Sequence, residues 1–248
     1  MRRRAFLGFT VGAVACLPWL PYSALGAVTV ESTKSDQPIY TFDDVPFEPL
    51  RMQKLLGILK NNHAKAQFYF TGEGILAQPD SVVMTLDAGF PVGWHSMHHD
   101  DMAYKNDHQL ADDIRAWKDT MRSVAPGFEP KLARFPYGNG HSYQYRILHN
   151  EGLSLHPCAW GGIQPANWDV DSFDWHPWKA ENGVSLRQKI RKACESSSIS
   201  PVILLHLTLA RPEFFCKEKQ DIDRLHPDCV VTESIVLSEP GKMKNILA

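Results

Sequence analysis

Five short stretches of this 248-residue chain carry side chains able to hold a metal ion and move protons. Asp43 and Asp44 are adjacent acids. At a strand end neighbouring residues point to opposite faces, so one acid can bind a metal while the other faces a substrate. In His95-Ser96-Met97-His98-His99, a helical conformation would put His95 and His99 on one face a single turn apart, where both imidazoles can hold one ion. Asp44, His95 and His99 would then offer one oxygen and two nitrogens, the three protein ligands of a catalytic zinc that keeps a position open for water. His98 points elsewhere in that geometry. Arg134 brings a fixed charge that would keep Asp43 ionised and oriented. Pro136 makes a rigid turn able to present the Tyr137 backbone N–H to a developing oxyanion. Asp171-Ser172-Phe173-Asp174-Trp175 lies where four of the seven Trp gather, Trp160, Trp168, Trp175 and Trp178; their flat faces suit sugar rings. Ile203-Leu204-Leu205 leads to His206, a general acid if a carboxylate such as Asp174 sets its tautomer and raises its pKa.

Taken singly, each stretch also has an ordinary structural reading. Adjacent acids cap turns and helices, a His pair decorates a surface, Arg beside Pro marks a turn, and a His at a strand end bonds a backbone carbonyl. At least two of the four Trp are expected to pack the core. Together they fit amide hydrolysis, which needs an activated water, a Lewis acid on the carbonyl oxygen and a proton for the departing amine. A metal with Asp43 supplies the first two and His206 the third.

The elements that must position these residues alternate between strand and helix. Strands are expected at Gln37 to Phe42, at Gln67 to Phe70 (closed by Gly72 and Gly74), at Phe90 to Trp94, at Lys131 to Phe135 and at Pro201 to His206. Helices are expected over Glu48 to Asn61, from a cap at Asn106 to about Ser123, from a cap at Ser142 to Gly152, and from Ser185 to about Ser196. In the second of these Leu110, Ile114, Trp117 and Met121 share one face. This alternation predicts a mostly parallel sheet with helices outside it, in one α/β domain. Asp43, His95, Arg134 and His206 each fall at the C-terminal end of a strand, and in a closed parallel barrel those ends converge on one face.

The series Thr41-Phe42-Asp43-Asp44, His95-Ser96-x-x-His99, Arg134-x-Pro136-Tyr137, Asp171-x-x-Asp174-Trp175 and Leu204-x-His206 resembles the five motifs of the polysaccharide deacetylases, the NodB-type domain of carbohydrate esterase family 4. The resemblance covers about residues 38 to 210. It implies a distorted (β/α) barrel, usually of seven strands, and metal-dependent removal of N- or O-acetyl groups from a glycan. By the same resemblance Asp43 is the general base, positioned by Arg134. Asp44, His95 and His99 bind the metal, usually zinc; such a site also accepts cobalt or nickel. The Tyr137 amide stabilises the oxyanion, Trp175 and Leu204 line the pocket for the acetyl methyl, and His206 is the general acid tuned by Asp174. The expected substrate is an N-acetylglucosamine polymer: peptidoglycan, chitin oligomers or poly-N-acetylglucosamine. Other sugar deacylations (acetyl-xylan, a lipid-linked formamido sugar) and an inactive glycan-binding role are the alternatives. Two departures stand out. Val45 replaces the usual Gly after the paired acids, and a β-branched residue resists conformations that Gly tolerates; Leu207 replaces the usual Asp after the last His.

Arg2, Arg3 and Arg4, an apolar stretch to about Leu20, and small residues at Ser23, Ala24, Gly26 and Ala27 read as an export signal over residues 1–27, ahead of a domain over 28–248. Arg3-Arg4-Ala5-Phe6-Leu7 also resembles a twin-arginine signal, and Cys16 offers lipidation as a third option. A periplasmic or secreted protein is expected. Removing those residues takes Lys plus Arg from 26 to 23 against 28 acids, so the net charge moves from −2 to −5. With no basic stripe, nucleic acid is not an expected partner, and no apolar run is long enough for a membrane span. At 44% hydrophobic and 22% charged, disordered, collagen-like and coiled-coil chains are excluded. In an exported chain Cys158, Cys194, Cys216 and Cys229 are able to form disulfides, with Cys216–Cys229 favoured by separation. From about residue 211 the segment departs from the family pattern.

Overall fold

The computed structural model describes residues 37–156, 168–175, 183–197 and 199–207. The expected export signal over residues 1–27, with Cys16, and Trp160, Trp178, Cys158, Cys216, Cys229 and the segment from residue 211 lie outside them. Seven parallel strands form one curled sheet with helices packed outside it: β1 (Ile39–Asp44), β2 (Lys65–Phe70), β3 (Val92–Trp94), β4 (Leu132–Ala133), β5 (Ser154–Leu155), β6 (Val170–Asp171) and β7 (Val202–His206). Their order is β5-β4-β3-β2-β1-β7-β6. The three long strands β2, β1 and β7 lie side by side in the interior of the sheet, where their apolar residues are buried. Phe42, Phe68 and Phe70 are fully buried there, and Phe42 stacks on Phe68 with ring centroids 5.1 Å apart.

Register brings the chemistry to one edge. Asp43 lies opposite His206 between β1 and β7, and Asp44 opposite Phe70 between β1 and β2. Trp94 pairs with Ala133, so the residues that follow each, His95 and Arg134, leave the sheet side by side.

The helices are α1 (Pro49–Asn61), α2 (Gly72–Ala77), α3 (Pro79–Asp87), α4 (Asp107–Val124), α5 (Tyr145–Asn150) and α6 (Gly183–Ser196). α1 starts with Pro in its first turn and buries Met52, Leu55, Leu56 and Leu59. α4 opens on a capping box between Asn106 and Gln109 and buries Leu110, Ile114, Trp117 and Met121, the face its periodicity predicts.

Several elements differ from the expectation. Gly72 and Gly74 do not end β2; they begin α2, whose cap Thr71 accepts the Gly74 N–H at 3.1 Å. Small size is what they supply, since a Cβ on Gly72 would lie 2.1 Å from Met97 Sδ. Ser142 does not cap a helix: residues Ser142–Gln144 form a single 3-10 turn before α5. α3, β5 and β6 are absent from the sequence expectation. The two strands are only two residues each, too short to show a period.

Candidate active site

The paired acids do not diverge as an ideal strand end would require. Asp44 adopts φ 80°, a left-handed conformation that Asp tolerates better than most residues. Both carboxylates consequently face the same imidazole, with His95 Nε2 3.6 Å from Asp43 Oδ2 and 3.5 Å from Asp44 Oδ1. Val45 is not among the residues with positive φ. The left-handed step falls on Asp44, so Val in place of Gly brings no strain of that kind.

His95 and His99 also come together, but not on a helix. Residues 95–99 form a loop with left-handed Ser96 (φ 63°) and His99 (φ 58°), a conformation costing roughly 1–2 kcal/mol per non-glycine residue. That double turn, rather than helical spacing, sets the rings in edge-to-face contact at 5.1 Å. His98 points away to Glu73 at the surface. The Nδ1 atom of His95 lies 3.0 Å from the Arg134 carbonyl oxygen. If Nδ1 carries the proton and donates it there, Nε2 keeps a lone pair for the site.

Asp44, His95 and His99 thus converge, with donor atoms all within 4.8 Å of one another. His99 Nε2 lies 3.2 Å from Asp44 Oδ1. That oxygen is buried and accepts no well-formed hydrogen bond. Donors held about 2.0–2.1 Å from a tetrahedral ion stand roughly 3.3 Å apart, so the 3.2 and 3.5 Å separations fit a divalent cation of zinc size. Burial works to raise the Asp44 pKa, but the two imidazoles outweigh it and hold the carboxyl well below the usual range.

Beside this trio, Arg134 is fully buried and donates through Nη1 to Asp43 Oδ1 and to Thr41 Oγ1, both at 2.7 Å. The Thr41 hydroxyl in turn donates a hydrogen bond to the Ile203 carbonyl at 2.8 Å. The guanidinium lies over the Tyr69 ring at 4.3 Å. Burial pushes the Tyr69 hydroxyl up to about 12, so it stays a donor, here to Gln67 at 2.9 Å. On the other side Asp174 grips His206 twice, accepting the backbone N–H at 2.8 Å and facing Nδ1 at 2.7 Å. Burial favours a neutral imidazole, but Asp174, helped by Asp43 and Asp44, raises the His206 pKa to about 9.

A cavity of about 280 Å³ joins these groups; Asp43, Asp44, His95, His99 and His206 line it with Tyr137, Trp175 and Leu204. All ten predicted site residues are therefore at or directly behind one cavity, with Arg134 and Asp174 reaching it through Asp43 and His206. Tyr137 is left-handed (φ 59°) and its ring meets His99 edge-on at 4.6 Å. Trp175 is half-exposed, its indole N–H donating to Asp171 at 3.3 Å. Of the described Trp in that cluster, Trp168 and Trp175 line the cavity; Trp160 and Trp178 lie outside the described residues, among which the fully buried Trp are Trp94 and Trp117. Sequence reasoning missed Asp113, which reaches the His95–His99 loop from α4. Its spacing from Leu110 and Trp117, at i+3 and i−4, is the signal that puts it beside the buried face.

The polysaccharide deacetylase family pattern matches residues 31–155, and the chain belongs to that family. It is 32% identical over 168 residues to a peptidoglycan-N-acetylglucosamine deacetylase of Bacillus cereus, an alignment covering 67% of this chain and 58% of the relative. To the peptidoglycan-N-acetylmuramic acid deacetylase PdaC of Bacillus subtilis it is 28% identical over 135 residues, 54% of this chain and 26% of the relative. The chain spans little more than half the length of the first relatives it matches. A family 4 carbohydrate esterase from Streptomyces lividans, solved in complex with acetate, shares the fold with a TM-score of 0.60 at 24% identity over 83% of this chain and 88% of the other.

Proposed function

We propose that this chain is an exported, metal-dependent deacetylase that hydrolyses N-acetyl groups of an N-acetylglucosamine-containing glycan, with peptidoglycan as the substrate. The observation that carries the reading is one cavity lined by an Arg-held carboxylate, a three-donor cation site and a carboxylate-held imidazole. The choice of peptidoglycan rests on the relatives named above, and export on the character of residues 1–27.

Asp44, His95 and His99 would hold the ion, zinc by preference and cobalt or nickel by the same donors. When bound, it supplies Lewis acidity at the acyl oxygen and a water acidic enough to be activated near neutral pH. Asp43, fixed by Arg134, takes the proton of the attacking water. The Tyr137 backbone N–H donates to the oxygen that gains charge. As the C–N bond breaks, His206 delivers its Nε2 proton to the departing sugar amine while Asp174 keeps the ring oriented. Acetate and a glucosamine unit result, and Trp175 and Leu204 wall the space for the acetyl methyl.

The test is acetate release by the mature protein from peptidoglycan, chitooligosaccharides, poly-N-acetylglucosamine and acetylated xylan, with and without chelator. Chelator-sensitive release from peptidoglycan is expected, reduced about 10²–10⁴-fold in Asp43→Asn as for loss of a general base. No release from any of them by protein carrying stoichiometric metal would overturn the reading. Release from xylan alone would move it to an O-esterase.

A further inference from the structure

We propose that Asp113 on α4 is a positioning residue: its carboxylate holds the His95–His99 loop in the strained shape that brings both imidazoles to Asp44. The inference rests on reading Asp44, His95 and His99 as the cation site, but the contacts that carry it lie outside that site.

Asp113 Oδ1 accepts the Trp94 indole N–H at 2.9 Å, and its two oxygens accept the Met97 backbone N–H at 3.3 and 3.1 Å. Trp94 is the last residue of β3 and fully buried; Met97 is the middle of the loop. One carboxylate thus ties the residue before the first imidazole to the peptide between the two. The loop needs such a tie. Ser96 and His99 are both left-handed, and the Ser96 hydroxyl is buried without a hydrogen-bond partner, so nothing local favours this conformation; it persists only where surroundings over-determine it.

Opposite Asp113, α2 supplies the complementary half. The Gly72 N–H donates to the Ser96 carbonyl at 2.9 Å and the Glu73 N–H to the Met97 carbonyl at 3.0 Å. The Met97 side chain fills the space beside Gly72. The α2 side takes up the loop's carbonyls, and the Met97 N–H goes to Asp113. Without it, the orientation of the 96–97 peptide is set from one side only. Outer partners that orient ligands change metal affinity without touching the ion.

The experiment uses the mature chain carrying Asp113→Asn, with Asp113→Ala as the harsher change. Trp117→Phe is the control; it loses a hydrogen bond from the same helix to the Phe70 carbonyl, 2.7 Å long, but leaves the loop alone. Four readouts are taken: Zn2+ affinity by chelator competition, the visible spectrum of Co2+-loaded protein, amide exchange of residues 95–99 in the metal-free chain, and kcat with KM of the loaded enzyme. Asp113→Asn should weaken Zn2+ binding about 10-fold, alter the Co2+ spectrum and speed exchange of the loop while α4 stays protected. Its kcat should fall with KM little changed. Trp117→Phe should lower stability and leave metal affinity at the wild-type value. Wild-type affinity, spectrum and loop exchange in Asp113→Asn would overturn the proposal. If Asp113→Ala does not fold, the near-isosteric Asn decides. If wild-type chain binds neither ion, the metal reading fails by itself, and loop exchange alone judges Asp113: unchanged exchange overturns it, faster exchange upholds the tie.

Discussion

Burial alone would leave His206 a neutral imidazole. Desolvation pulls its pKa down, yet Asp174 at 2.7 Å and the more distant Asp43 and Asp44 bring it up to about 9. A bound divalent ion would offset the last two, so the working value lies below that figure. The direction for activity follows. A general acid is competent below its pKa, so kcat should fall as pH rises through it. Asp174→Asn removes the charge that opposes desolvation, and the alkaline limb should then move to lower pH. A pH profile of kcat for the two proteins checks this, and an unmoved limb would assign the proton to another group. At this scale the sequence was informative about identity and poor about conformation. Asp44, Ser96, His99 and Tyr137 are all left-handed, yet none is glycine. Nothing in residue type announces the turns that make Asp43 and Asp44 face one imidazole or bring His95 to His99 without a helix.

α4 is the element that braces the site. Its apolar face docks on the sheet, and two polar groups one turn apart reach strand ends: Asp113 to Trp94, and Trp117 to the Phe70 carbonyl. Ile114 lies between them and is fully buried. Ile114→Ala should therefore lower unfolding free energy by about 2–5 kcal/mol, the cost of a large-to-small change that leaves a cavity. Denaturant unfolding measures it, and a loss under about 1 kcal/mol would mean the helix closes over the gap. Long amphipathic elements such as α4, and continuous apolar strands such as β7, were legible because period and burial agree over many residues. β4, β5 and β6 were illegible or misjudged in length. Each has two residues, and neighbours in the sheet rather than local pattern make them strands. For Asp113 the helical spacing shows its place beside the buried face but not its role: next to Asp112 it reads as a solvated acid, and its partner Trp94 is 19 positions away.

Over the whole molecule, exposed apolar side chains are sorted by type. Among the described residues the large exposed aliphatics, Leu50, Leu76 and Val83, lie on α1, α2 and α3. The exposed aromatics Tyr104, Tyr137, Tyr143 and Trp175 all lie in segments that follow β3, β4 and β6, on the side where the strands deliver their chemistry. Two of those segments are stitched together. Asn139 donates to the Asp101 carboxylate at 2.9 and 3.0 Å, and Gln144 to the Met102 carbonyl at 2.7 Å. Tyr143 is held flat against His141, with ring centroids 5.2 Å apart and planes within 15°. Tyr143, exposed and stacked on His141, presents a ring face to solvent. If the substrate is a polymeric glycan, as proposed, that face is expected to contact a sugar beyond the one being deacetylated. Tyr143→Ala should then raise KM for long oligomers about 3–10-fold, the equivalent of roughly 1 kcal/mol for a lost aromatic contact. It should leave kcat and the KM of a disaccharide unchanged, because Tyr143 does not line the cavity. Kinetics against chain length decide the matter. An equal effect at every length would place Tyr143 in the reacting pocket. No effect at any length would place the Tyr143 ring outside the substrate's contacts.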